Sequence, residues 1–123
     1  MDRIRWAKHI LEWVEERYPD NPQVVTQMGI TLQENDEAER AVAWFQRAIE
    51  LDPNLAAAHI HLGVYYLSQL REPHLAERHL NEAERIGRES DDMLTRLHVR
   101  AIRDRFRGVG EGSDNKWGNV QNI

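Results

Sequence analysis

A chain of 123 residues with 30% charged and 41% hydrophobic side chains suits one soluble, surface-rich domain. The net charge of -5 argues against a general affinity for nucleic acid, and the absence of cysteine excludes disulfides and thiolate chemistry. No apolar run approaches the ~18 residues of a membrane span, and charges recur every few positions at the N-terminus; neither a transmembrane helix nor a secretory signal is visible, and the cytoplasm is the expected setting.

The first expected helix covers 2–18 and carries two apolar stripes. Ile4, Ala7, Leu11, Val14 and Tyr18 form one, expected to pack on the following helices, and Trp6, Ile10 and Trp13 form another at i, i+4 and i+7. Two stripes call for two partners, so the tryptophan stripe is a candidate protein interface or homodimer contact; the alternative is that the tryptophans lie flat on their own hairpin. Asn21 before Pro22 is an N-cap with a first-turn proline, opening a helix at 22–34 with Val25, Met28, Gly29 and Leu32 on its apolar face. Asp36 with Glu39 three residues on predicts a capping box for a helix at 37–51 bearing Ala41, Phe45 and Ala48.

Pro53 and Asn54 separate this pair from the next, in which His59, Leu62, Gly63 and Tyr66 lie on a helix at 55–69 and Ala76, Leu80 and Ala83 on one at 73–87. Glu72 and Pro73 mark the turn between them, and Gly87 suits a helix exit. Ser90 ahead of Asp91 and Asp92 predicts the entrance of a last helix at 91–107, with Leu94, Leu97 and Ala101 in apolar places. Its arginines, Arg96, Arg100, Arg103, Arg105 and Arg107, follow the acids Asp91 and Asp92, an order that complements the helix dipole and predicts a solvated face; an anionic partner is the functional alternative. From Gly108 the periodicity stops. Gly110, Gly112, Ser113, Asp114, Asn115 and Gly118 predict a flexible or partner-bound tail over 108–123, with Trp117 as a candidate anchor.

The elements repeat. Gly29 and Gly63 stand 34 residues apart, each inside the frame just described, and Ala7, Leu11, Val14 and Pro19 anticipate Ala41, Phe45, Ala48 and Pro53 by the same offset. Ala76 arrives one residue late, which predicts a single insertion in the turn from Gln69 to Pro73, and His98 takes the slot a third glycine would hold. Mid-helix glycine costs roughly 1 kcal/mol against alanine, so its recurrence implies that a side chain there would obstruct another helix. Ala41 and Ala48, and Ala76 and Ala83, are small residues seven apart and hence on one helix face, which suggests that small faces small between the two helices of each pair.

This frame resembles the tetratricopeptide repeat, strongly in the middle and weakly at both ends of about 2–107. The resemblance implies an all-α solenoid of antiparallel helix pairs over 1–107: a leading B-type helix, two full repeats and a C-terminal capping helix, about six helices in all. It also implies a concave groove lined by Gln23, Thr26, Ile30 and Gln33, by Ile60, His61, Val64 and Leu67, and by Arg96, Val99 and Arg103. Such a groove is apolar at its middle and fits an apolar or amphipathic protein segment, unless Ile60, Val64 and Leu67 are simply buried against neighbouring helices. Chaperone-binding relatives use a clamp of lysines, asparagines and an arginine; here the corresponding positions are Thr26, Ile30, His61, Asp92 and Arg96, and only the arginine is kept, so an acidic chaperone tail is not the expected ligand.

No catalytic pattern is visible. The six histidines (His9, His59, His61, His74, His79 and His98) form no i, i+4 pair or HExxH, His59 and His61 point about 200° apart on a helix, and no phosphate-cradling glycine loop follows a strand. Acidic neighbours such as Glu15 and Glu16, or Glu37 and Glu39, suit exposed faces. The expectation is a protein-binding adaptor or scaffold without cofactor, metal or chemistry of its own; the alternative is a small structural or assembly subunit docked through the tryptophan-bearing helix and the tail.

Overall fold

The computed structural model describes residues 3–108, with the backbone alone at Arg3, Ile4, Trp6, Ala7 and Lys8. Its helices are α1 (Arg3–Arg17), α2 (Pro22–Glu34), α3 (Ala38–Leu51), α4 (Ala56–Tyr65), α5 (Pro73–Glu89) and α6 (Met93–Arg105), and a π-helical segment, Tyr66–Leu70, extends α4. No strand occurs among the described residues. The closest pairings are α2 with α3 and α4 with α5, joined by α3 against α4 and α5 against α6, which is the order of two stacked hairpins flanked by a helix at each end.

The repeating frame is buried as a seam between helices. Leu11 and Val14 of α1 join Met28 and Leu32 of α2, Ala41 and Phe45 of α3 and Leu62 of α4 in one cluster. Ile60, Leu67, Ala76, Leu80 and Ala83 of the second hairpin join Val99 and Ile102 of α6 in another. Between the hairpins, Val25, Ala48 and Ala58 meet, backed by Leu55. Each large aliphatic or aromatic side chain so buried contributes roughly 1.5–3 kcal/mol, which a thin helical array needs because it has no wide central core.

Both mid-helix glycines lie where a side chain obstructs a neighbour. A Cβ on Gly29 would stand 2.6 Å from Cε1 of Phe45, and one on Gly63 would stand 2.8 Å from Cδ2 of Leu80. The contact differs from the expected meeting of small residues alone: the gap at Gly29 receives the ring of Phe45, and the gap at Gly63 receives Leu80 with the backbone of Ala76 behind it, while all four alanines are buried. Gly87 is a third such place and not a helix exit. It lies inside α5, where a Cβ would meet Cγ of Arg96 at 3.0 Å, and the helix runs on to Glu89.

Start signals are correct at Asn21, whose Oδ1 accepts from Val24 N–H at 3.1 Å, and at Pro73 in the first turn of α5. Two differ. Asp36 adopts a left-handed φ of 64° just past α2, so Glu37 takes the entrance of α3 and no side chain caps it. The cap of α6 is Asp92, which accepts from Thr95 N–H at 3.2 Å, while Ser90 closes α5. In both places the short loop turns through an acidic residue in the left-handed region, Asp36 or Asp91, which moves the entrance one or two residues on.

The inserted residue is not accommodated in the turn. The last turn of the first helix in the second hairpin widens into π geometry, with Arg71 N–H donating to Tyr66 O, and Arg71 ends it at φ 53°. One extra residue is thereby absorbed without moving Ala76 and Leu80 out of the seam.

Candidate functional site

The predicted groove residues divide by depth. Thr26 is buried, with its hydroxyl donating to Pro22 O at 2.8 Å; Ile60, Leu67 and Val99 are buried in the cluster shared by α4, α5 and α6. Ile30, Gln33, His61 and Val64 are half-buried and Gln23 is exposed. Arg96 and Arg103 are half-buried on α6. The accessible apolar part is therefore Ile30 and Val64, at equivalent places in α2 and α4, and not the fuller Ile60, Val64 and Leu67 stripe.

Beside them the structure assembles a polar frame. His61 Nδ1–H donates to Gln33 Oε1 at 3.1 Å, joining α4 to α2, and the imidazole stacks on Phe45 with centroids 5.1 Å apart and planes at 8°. Burial, and secondarily the nearby His98 of α6, lower the pKa of His61, so the neutral ring with a bare Nε2 is favoured. Gln33 and His61 thus link the first helices of the two hairpins, and His98 of α6 acts on His61 only through its charge. The contribution of His98 was missed by sequence reasoning, although its presence in the third glycine slot was the available signal.

Arg103 lines a cleft along α6 but is held by α5. It donates to Glu77 through Nε at 2.9 Å, to Glu84 at 2.6 Å and to Asn81, all on α5, and so clamps α6 onto α5. Hydrogen bonding to Arg103, chiefly, lowers the pKa of Glu84 despite its exposure. Arg96 approaches Asp91 at 4.0 Å, and its Nε is buried without a hydrogen-bond partner among the described residues. Along α6 and the adjoining part of α5 lies a cleft of about 630 Å³ lined by Met93 and Leu97 and by Arg88, Arg96, Arg100 and Arg107, with Glu84 and Asp104 among them.

Elsewhere, His59 and His79 bring their Nδ1 atoms within 3.2 Å between α4 and α5, and His59 Nε2–H donates to Pro53 O at 3.1 Å. That donation leaves His59 Nδ1 bare, so His79 Nδ1–H is the donor of the pair. Tyr66 stacks on His79 with centroids 5.6 Å apart. Sequence spacing gave no hint of this pair, because the residues lie on different helices. Among the described residues, no group of three or more acidic or histidine side chains could hold a metal ion.

On α1, Trp13 is 47% exposed, with Tyr18 tilted against it at 5.7 Å and the Arg17 guanidinium 5.5 Å over its ring. Tyr18 was expected in the inward stripe; it lies beyond the end of α1 and is exposed. Ile10 was placed with the outward tryptophans, yet it packs half-buried against the first core cluster. Trp6, as a side chain, and Trp117 lie outside the described residues.

Helix pairs held by recurrent glycine and alanine places define an all-α helical-repeat fold. Residues 34–69 match the family model of the TPR repeat, which supports a TPR-type repeat in this part of the chain. The matched span covers α3 and α4 and so starts one helix later than the glycine frame. No curated protein and no solved structure matches the chain significantly. The repeat is of a kind that binds other proteins, and no helix among the described residues is long and apolar enough to cross a membrane.

Proposed function

We propose that this chain is an adaptor or scaffold that holds an apolar or amphipathic segment of another protein along the surface shared by α2, α4 and α6. The observation that carries this reading is the placement of half-buried Ile30 and Val64 at equivalent repeat positions beside a side-chain frame, Gln33 to His61, already fixed by a 3.1 Å hydrogen bond. Apolar side chains of the guest gain area against Ile30 and Val64, and the bare Nε2 of His61 supplies one polar acceptor that sets register. Preorganisation matters because side chains already ordered lose little freedom on binding.

Peptides selected by display on the folded chain test it. Replacing Ile30 and Val64 together by Asp is expected to weaken the selected peptides by at least about tenfold, or roughly 1.4 kcal/mol, with the helical circular dichroism retained. Equal affinity for the variant would remove the assignment of this surface.

A second reading, a small structural or assembly subunit, is supported by the exposure of Trp13 next to Tyr18 on α1. Sedimentation separates the two. A self-associating chain that becomes monomeric with Trp13→Ala favours the subunit or homodimer, and a monomer unaffected by that change leaves the adaptor alone.

A further inference from the structure

The two end helices carry one pattern with opposite charge. α1 packs closely on α2 alone, and α6 on α4 and α5, so each end helix has a long side that its own chain leaves open. On α1 that side holds Trp13, 47% exposed, with Glu12 at i−1 and Glu16 at i+3. On α6 it holds Leu97, 48% exposed, with Arg96 at i−1 and Arg100 at i+3. At about 100° per residue, both charges fall on one flank of the apolar residue, and on the same flank in the two helices. The opposite flank carries Arg17, whose guanidinium lies over the Trp13 ring, on α1 and the exposed Leu94 on α6.

The flanking charges are available. No ion pair among the described residues holds Glu12, Glu16 or Arg100, and Arg96 approaches Asp91 at 4.0 Å with its Nε unpartnered among them. The acids of the α6 cleft, Glu84 and Asp104, are already paired with Arg103 and Arg107, each at 2.6 Å. Two helices meeting through such faces bring like flanks together only when antiparallel, as the flanking charges of paired helices show in general. With Trp13 set on Leu97, a rise of about 1.5 Å per residue leaves Glu12 and Arg100 about 3 Å apart along the axis, and Glu16 and Arg96 the same, within reach of their side chains. Arg17 then falls beside Leu94, on the flank away from the arginines.

Resting on the second reading above, in which Trp13 marks an assembly contact, we propose that α6 of one molecule docks antiparallel on α1 of a second copy, with Arg100 on Glu12 and Arg96 on Glu16. Neither fold has to open. Leu11 and Val14, on the inner face of α1, stay buried in their own molecule, as do Val99 and Ile102 of α6. The two surfaces differ, so the contact is heterologous and joins molecules head to tail, closing into a ring or running on. One helix face against another is small beside a standard stable interface, and its flanking charges are exposed, so the association is weak and falls with added salt.

Glu12 and Arg100 are exposed, so their charges can be reversed without touching either core. Sedimentation of the full chain at about 0.5 mM and low salt is expected to show self-association. Glu12→Arg and Arg100→Glu are each expected to weaken it by about fivefold or more, with the helical circular dichroism retained. An equimolar mixture of the two variants is expected to associate as the unsubstituted chain does, because every contact between unlike variants again joins opposite charges. Association lost with Glu12→Arg but untouched by Arg100→Glu keeps Trp13 as an assembly contact and overturns docking on α6. The reverse pattern overturns it too, since α6 then meets something other than α1, and so does a mixture no better than its separate components. An unsubstituted chain that stays monomeric removes this contact and the second reading together.

Discussion

The two hairpins share one frame and fill it with different chemistry. In α2 and α3 the glycine gap at Gly29 takes the ring of Phe45, and Val25 is apolar and fully buried. In α4 and α5 the gap at Gly63 takes Leu80, and the place of Val25 is held by His59, which is bonded to Pro53 O and to His79. The lesson is that the repeat constrains where backbones approach, and any side chain that fills the volume and satisfies its polar atoms is then admissible. The first hairpin is a dry seam; the second carries a hydrogen-bonded one.

The strongest way to break this comparison is to empty each gap. Phe45→Ala is expected to cost about 4 kcal/mol and Leu80→Ala about 3 kcal/mol by urea denaturation, because the larger ring leaves the larger cavity between helices held apart by their other contacts. Filling the gaps from the other side is the next largest effect. Gly29→Ala is expected to cost about 2 kcal/mol and Gly63→Ala about 1 kcal/mol, after an offset of roughly 1 kcal/mol from better helix propensity. The difference follows from the obstacle: three ring atoms of Phe45 lie 2.6, 2.9 and 3.0 Å from the added Cβ, whereas the nearest Leu80 atom is a terminal methyl that rotates away. Equal costs at the two glycines would mean that the seams are equally compliant, against the argument above.

Much of this was legible in the sequence, and the reason is local. Gly29, Gly63 and the alanines report helix spacing because glycine inside a helix is costly unless something requires it. Their period therefore located α2 to α5 and their pairing. Caps at Asp36 and Ser90 were misplaced because the chain had a competing solution, a left-handed acidic residue, that no residue pattern distinguishes from a cap. Gly87 read as an exit because its obstacle, Arg96, lies on another helix. The candidate site was legible only in outline: Gln33 with His61, and Arg103 with Glu77 and Glu84, join side chains 19 to 28 residues apart, and such long-reach pairs leave no periodic trace.

Helix entrances sharpen the comparison at smaller scale. Asn21 caps α2 with its side chain, whereas Leu55 at the same place before α4 makes no cap bond and packs against Val25, Ala48 and Ala58. Asn21→Ala is expected to cost about 1 kcal/mol, the usual worth of an N-cap. Leu55→Asn exchanges apolar contact for a cap and is expected to be destabilising on balance, measured by the same denaturation, since a half-buried leucine contributes more than one exposed hydrogen bond. A more stable Leu55→Asn variant would show that the junction between hairpins depends little on this cluster.

Acid should find the second hairpin first, as the smallest of these effects. Burial, then neighbouring His59 and Arg78, lower the pKa of His79, and burial, then His98, lower that of His61; both belong to α4 and α5. A histidine whose folded pKa lies below its ordinary value of 6.5 binds a proton more readily in the unfolded chain. The stability it provides is therefore fully present above that value and declines as pH falls through it toward the folded pKa. Each ring keeps part of its surface in water, so the slope is expected to be shallow and to flatten further in His61→Gln and again in His79→Gln. Melting temperatures recorded between about pH 8 and pH 5 read that slope, and amide exchange localises it, with α4 and α5 expected to open more readily at low pH while α2 and α3 keep their protection. If acid instead loosened α2 and α3 first, the pH dependence would have to come from outside the histidine-bearing seam, and the division into a dry and a hydrogen-bonded hairpin would lose its energetic meaning.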